Sequence, residues 1–520
     1  MEITRTRRQF LSNVSRGALA AAVGFGTARS MDLAPAWAES GPESISFGPL
    51  ESLVCLLQET PVDKLLPALV GQLQAGTDLR RLTAAAALAN ARTFGGEDYV
   101  GFHTLMALSP ACHMASELPG ELQPLPVFKV LYRNTARIHA VGGRTREVLH
   151  PVSPGPLPES PGAGEALRDA VRRKDTTGAE RTFAALAASS ADDAFNALLY
   201  EVQDNAEIHR VALPYRAWDL LDVVGQEHAH TLLRQSLRYC LKAEEGPRNE
   251  KWDRPRTLLP KMFDQHRLEG RALGIRAADD AWVDQFSQTI FRSTAEQAAD
   301  AAAAALAEGI APEAVGEAIS LAANQLLLRD VGRSARDESP GKPMGSVHGD
   351  SIGVHACDSA NAWRNMAKIA NARNTFACLI LGAYQAAFDR TDRGGEFLAW
   401  PPLPLSSTLG GIRTQDPGEL LRDLENAIKE KLQGRASAIV HRYGELGHPA
   451  RPVFDLFLRF AVSEDGSLHA EKYYRTVSEE FASARPAFRW RQLVALARVT
   501  ASEYGRPAAG VAEARSLLKV

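Results

Sequence analysis

Thr60-Pro61-Val62-Asp63-Lys64-Leu65-Leu66-Pro67-Ala68-Leu69-Val70-Gly71-Gln72-Leu73-Gln74-Ala75-Gly76-Thr77-Asp78 sets the pattern that the rest of the chain repeats. Thr60 is placed to cap a helix, and Pro61 suits the first helical position, where a missing N–H loses no bond. Leu65, Leu66, Leu69, Val70 and Leu73 recur at helical spacing and draw one apolar stripe. Gly76 can end that helix in a left-handed conformation, and Asp78 can cap the next, which alanines carry to Ala91.

The same alternation of stripe and stop returns over 165–245 and 277–330, where a run of alanines from Ala298 to Ala305 suits close helix contact. It returns again after Asp358, over Ser359 to about Phe388, and in the last hundred residues, where the fold is expected to end with a helix from Trp490 to Tyr504. Alanine is abundant, and aromatic and β-branched runs are sparse. The expected fold is mainly α: a multi-helical array or bundle of packed helical hairpins with little or no sheet.

Two breaks divide it. Residues 151–164 hold five prolines and three glycines, and 389–418 hold Arg393-Gly394-Gly395, Trp400-Pro401-Pro402-Leu403-Pro404 and Gly410-Gly411. The expected regions are 39–150, 165–390 and 391–520, preceded by a leader over 1–38.

With 45% hydrophobic and 23% charged residues in 520, the composition is that of a globular protein with ample core. A net charge of −3 gives no footprint for nucleic acid. Five widely spaced cysteines, with no C-x-x-C, exclude the usual zinc-ribbon and thioredoxin patterns.

The leader carries Thr6-Arg7-Arg8-Gln9-Phe10-Leu11, a mildly apolar run from Gly17 to Gly26, and Ala36-Trp37-Ala38. This ordered set resembles a twin-arginine (Tat) signal peptide. The apolar run is shorter than the ~20 residues that span a bilayer. The resemblance implies export of a folded chain by the Tat translocase, to the periplasm or beyond. It also raises the expectation of a cofactor loaded before export.

The chemistry concentrates in Ser346-Val347-His348-Gly349-Asp350-Ser351-Ile352-Gly353-Val354-His355-Ala356-Cys357-Asp358. Gly345, Gly349 and Gly353 argue for a loop, with Asp358 as the cap of the following helix. Two histidines and carboxylates fit a non-haem metal, for which iron or copper is expected. His348 and His355 are the first candidate ligands, and Asp350 is a ligand or the carboxylate that orients one.

Further imidazoles come from outside this stretch. His103 and His113 lie in a nearly apolar segment, about 80° apart on an ideal helix, and Pro110 can turn them together. His209 follows Glu207, and His228 follows Gly225. Helical proteins build metal sites from such facing side chains. His469, Lys472 and Tyr473 share a helix face and offer acid–base groups, with Asp358 as a further catalytic candidate.

The leading expectation is therefore an exported oxidoreductase with a His-ligated metal between helices and a small-molecule substrate. Two other readings compete. Cys357 with His355 and Asp358 can be read as nucleophile, base and orienting acid, although sequence neighbours seldom form a working triad. Alternatively the chain is a periplasmic helical scaffold or binding protein whose histidines are structural.

Overall fold

Asp78 does cap a helix: its side chain accepts from the Arg81 backbone N–H, and Leu79–Phe94 follows. The preceding helix runs Val62–Gln74, with Pro61 one position earlier than expected, as its cap residue. Leu65, Leu66, Leu69 and Val70 are its buried stripe. The same logic serves elsewhere, with Asp98, Asp175, Ser190, Asp279, Thr294 and Asp416 each capping a helix through a side-chain oxygen.

The computed structural model describes residues 44–157, 162–349, 351–392 and 395–520. Among them the fold is all-helical: the helices pack against one another, and the extended pairing consists of isolated β-bridges. Residues from Ile45 to Val520 form one compact unit around a continuous apolar core. No described helix is long and apolar enough to cross a membrane. The leader motif, Gly17–Gly26 and Ala36-Trp37-Ala38 all lie outside the described residues.

Four helices matter for the site: Tyr99–Glu117, Ile208–Asp219, Ile352–Ile369 and His469–Ser483. They pack in a closed cycle. Tyr99–Glu117 lies on Ile208–Asp219, which lies on Ile352–Ile369, which lies on His469–Ser483, which returns to Tyr99–Glu117.

Three local expectations are corrected. The helix expected from Ser359 to Phe388 is two helices, Ile352–Ile369 and Ala372–Asp392. Its cap is Ser351, not Asp358, so His355 sits in a first helical turn rather than a loop. Gly353 is tolerated there because the Leu327 backbone fills the space its side chain would take; an added Cβ would lie 2.4 Å from Leu327 Cα. At the other end, Trp490–Glu503 is followed by one more helix, Val511–Leu518.

Candidate functional site

Each helix of the cycle sends one buried histidine to its middle: His103, His209, His355 and His469. The rings neighbour one another in the same cyclic order. Centroids are 4.7 Å apart for His103–His209, 5.9 Å for His209–His355, 5.6 Å for His355–His469 and 5.4 Å for His469–His103. Imidazoles bound at ~2.1 Å to one tetrahedral ion place their ring centres about 5.3 Å apart. The Nε2 atoms of His103 and His209 already face each other at 3.2 Å.

The outer nitrogens are anchored. His209 Nδ1 lies 2.6 Å from Glu207 Oε1, His103 Nδ1 2.7 Å from the Tyr99 carbonyl, and His469 Nδ1 3.1 Å from the Ser467 carbonyl. An acceptor at Nδ1 places the proton there and leaves the Nε2 lone pair turned inward, the arrangement that orients metal-bound histidines. His469 Nε2 is buried with no hydrogen-bond partner among the described residues.

Glu207 is the best-held of these anchors. It caps its helix through the backbone N–H groups of His209 and Arg210, and it accepts from the Tyr239 hydroxyl at 2.7 Å. Burial works to raise its pKa, yet His209, Tyr239 and the backbone donors together hold it down at about 2.

Burial and electrostatics favour the neutral imidazole at two corners of the ring. Burial, then Lys472 and the neighbouring imidazoles, lower the pKa of His103 and of His469 well below the ordinary value. Neutral rings are the metal-binding form. Lys472 is itself lowered to about 8 by burial, with Asp358 opposing. Asp358 is raised by burial and accepts a 2.8 Å bond from Thr476 Oγ1.

The backbone is strained next to His469. Ser467 and Leu468, neither of them glycine, hold φ of 53° and 69° in the two positions before it. Such conformations persist where surrounding structure imposes them, often at functional sites. Gly349 packs flat on the same ring, and a Cβ there would fall 2.2 Å from His469 Cγ.

A cavity of about 20 Å³ opens beside the ring, lined by His209, His355, His469, Lys472, Asp358 and Arg216 among others. On the outer side of His209, a recess of about 180 Å³ is lined by Glu207, Tyr239, Arg210, Trp252 and Arg256. Its rim residues Arg248, Asp253 and Arg256 also line a larger surface cavity of about 1100 Å³.

Other candidates stand apart. His348 lies against Arg506, with its Nε2 4.0 Å from Glu503 Oε1, and does not share the ring with His355. Pro110 does not turn His113 toward His103; His113 folds back on its own helix, with Nδ1 2.9 Å from the Ser109 carbonyl. His228 is half-buried and meets the edge of the Phe47 ring at 5.9 Å. Asp350 lies outside the described residues. His469 and Lys472 occupy a buried helix face rather than a solvated one, with Tyr473 buried beside them.

The metal-free nucleophile finds no support in the geometry. Burial and the adjacent Asp358 push the Cys357 thiol up, away from the reactive thiolate. Gly349-Asp350-Ser351-Ile352-Gly353 has the G-x-S-x-G spacing of a hydrolase elbow, which the sequence reading missed. That elbow needs a strand before the serine. Here residues 346–349 form no strand, and Ser351 Oγ accepts from the Val354 N–H at 3.3 Å as a helix cap.

Among the described residues, no group of three or more His, Cys, Asp or Glu side chains could hold a metal ion as it stands. Comparison with known protein families, characterised proteins and solved structures finds no match.

Proposed function

We propose that this chain is an exported metal-dependent oxidoreductase, with iron or copper held by His103, His209, His355 and His469, acting on a small-molecule substrate. The cycle of four imidazoles, one from each of four helices, carries the reading. Three anchored Nδ1 atoms and the unpartnered Nε2 of His469 support it further. Imidazole donors suit iron, copper and zinc. The Tat-like leader favours a redox ion among these, because that route accepts chains that fold around a cofactor before export.

A helical scaffold with structural histidines accounts less well for the same facts. An unpaired buried imidazole nitrogen costs roughly 1–3 kcal/mol and occurs outside the ring as well, at His139, His150 and His230, so what a scaffold leaves unexplained is the grouping of four imidazoles from four helices. His469 leaves its Nε2 unsatisfied between the rings of His103 and His355.

The test is elemental analysis and a visible spectrum of protein purified from its own export pathway. Stoichiometric iron or copper is expected. Folded protein with no metal and no chromophore, which also takes up none on reconstitution, would overturn the proposal.

A further inference from the structure

Lys472 is 5% exposed, and its ammonium makes no hydrogen bond or ion pair among the described residues. It lines the 20 Å³ cavity beside the histidine ring. A buried, unpaired cation is unfavourable unless something compensates it.

The cavity wall supplies that compensation only in part, through the attraction of Asp358 across the cavity. Its second cation, Arg216, is held by Glu479 at 3.4 Å and Asp219 at 3.6 Å. Its carboxylate, Asp358, forms no ion pair with Lys472 among the described residues and accepts instead from Thr476 Oγ1 at 2.8 Å. The imidazoles of His103 and His469 add no negative charge, and an ion bound to the ring would add positive charge.

Size narrows the occupant. About 10–15 Å³ of such space holds one water. The remaining walls are Met106, Ile208, Ala212, Tyr215 and Ala362, which give an organic substrate no room. That limit also counts against Lys472 as an amine nucleophile toward a carbonyl compound.

We infer that this cavity is a binding site for a small inorganic anion of two or three atoms, held by Lys472 and Arg216 beside the histidine ring. The site deepens the metal reading above and rests on it for one of its two readouts. Within that reading, the anion would lie beside the ion that the four imidazoles would hold. An organic substrate then stays outside this cavity.

The test uses azide on the full mature chain. In metal-loaded protein, azide should produce a saturable charge-transfer band, and benzoate should not compete. Lys472→Met should weaken azide about tenfold or more with metal content unchanged. Removing an unpaired buried charge should leave this variant folded, which circular dichroism checks. Ala362→Val, which fills the cavity and leaves every charge in place, should abolish azide binding.

Equal azide affinity in wild type and both variants would overturn the inference while leaving the metal centre standing. If no metal binds, the metal reading falls, and the anion site is read by thermal shift of the metal-free chain. An azide-dependent rise in Tm that Lys472→Met lacks sustains the site; no rise in wild type overturns it.

Discussion

His103 and His209 come from helices separated by about a hundred residues of chain, yet their Nε2 atoms face each other at 3.2 Å. Each ring is pinned from behind, His103 by the Tyr99 carbonyl and His209 by the Glu207 carboxylate. The pair is one edge of the four-histidine ring, and its geometry makes the predictions that follow.

Glu207 orients His209 and strengthens it as a donor. Glu207→Gln keeps a hydrogen-bond acceptor but loses the charge. Metal affinity should drop by about 10–100-fold, as second-layer changes commonly do, with helical circular dichroism retained. A competition titration with a chromophoric chelator reads it; unchanged affinity would show that Glu207 serves only as a helix cap.

Acid should destabilise the metal-free chain. The folded-state pKa values of His103 and His469 lie below the ordinary 6.5, so below that pH the unfolded chain takes up protons that the native chain refuses. Stability is then full above pH 6.5 and falls as pH drops toward the folded-state values, by roughly 1.4 kcal/mol per pH unit for each group. Urea midpoints at pH 7.5, 6.5 and 5.5 should decline, and the decline should be shallower in His103→Gln. A flat profile would contradict the buried neutral ring.

Gly349→Ala should displace His469, since the added methyl would overlap its ring. Overpacking of this kind destabilises by about 1–3 kcal/mol. Metal uptake should fall as well, because the displaced ring is a ligand. Wild-type stability and uptake in this variant would mean that the loop yields freely.

Cys357 should be inert. Its thiol is buried and pushed up, so iodoacetamide should leave it unmodified in the native chain and modify it after unfolding. Cys357→Ser should keep metal content. Rapid native modification with loss of activity would revive the thiol mechanism.

The helical architecture was readable because apolar stripes and cap residues obey local rules: Asp78 and the Leu65–Val70 stripe behave as their spacing demands. All four ring histidines also stood out from the sequence. Their grouping did not. Gly349 and Gly353 read as loop formers, but each is small because a neighbour presses on it, His469 on one and the Leu327 backbone on the other. That close approach is tertiary and leaves no periodic trace, so the helix start at Ile352 was missed and His348 was paired with His355. The polar residues of the His469 and Lys472 face carry no local sign of burial; the face is buried because its helix closes the cycle of four.

The most direct test is metal stoichiometry after reconstitution with copper(II) or iron(II) and desalting, comparing wild type with the His209→Ala/His469→Ala double variant. One ion per chain is expected in wild type and almost none in the double variant, with the same circular dichroism. Equal metal in both, or none in a folded wild type, would contradict a centre built on the four histidines.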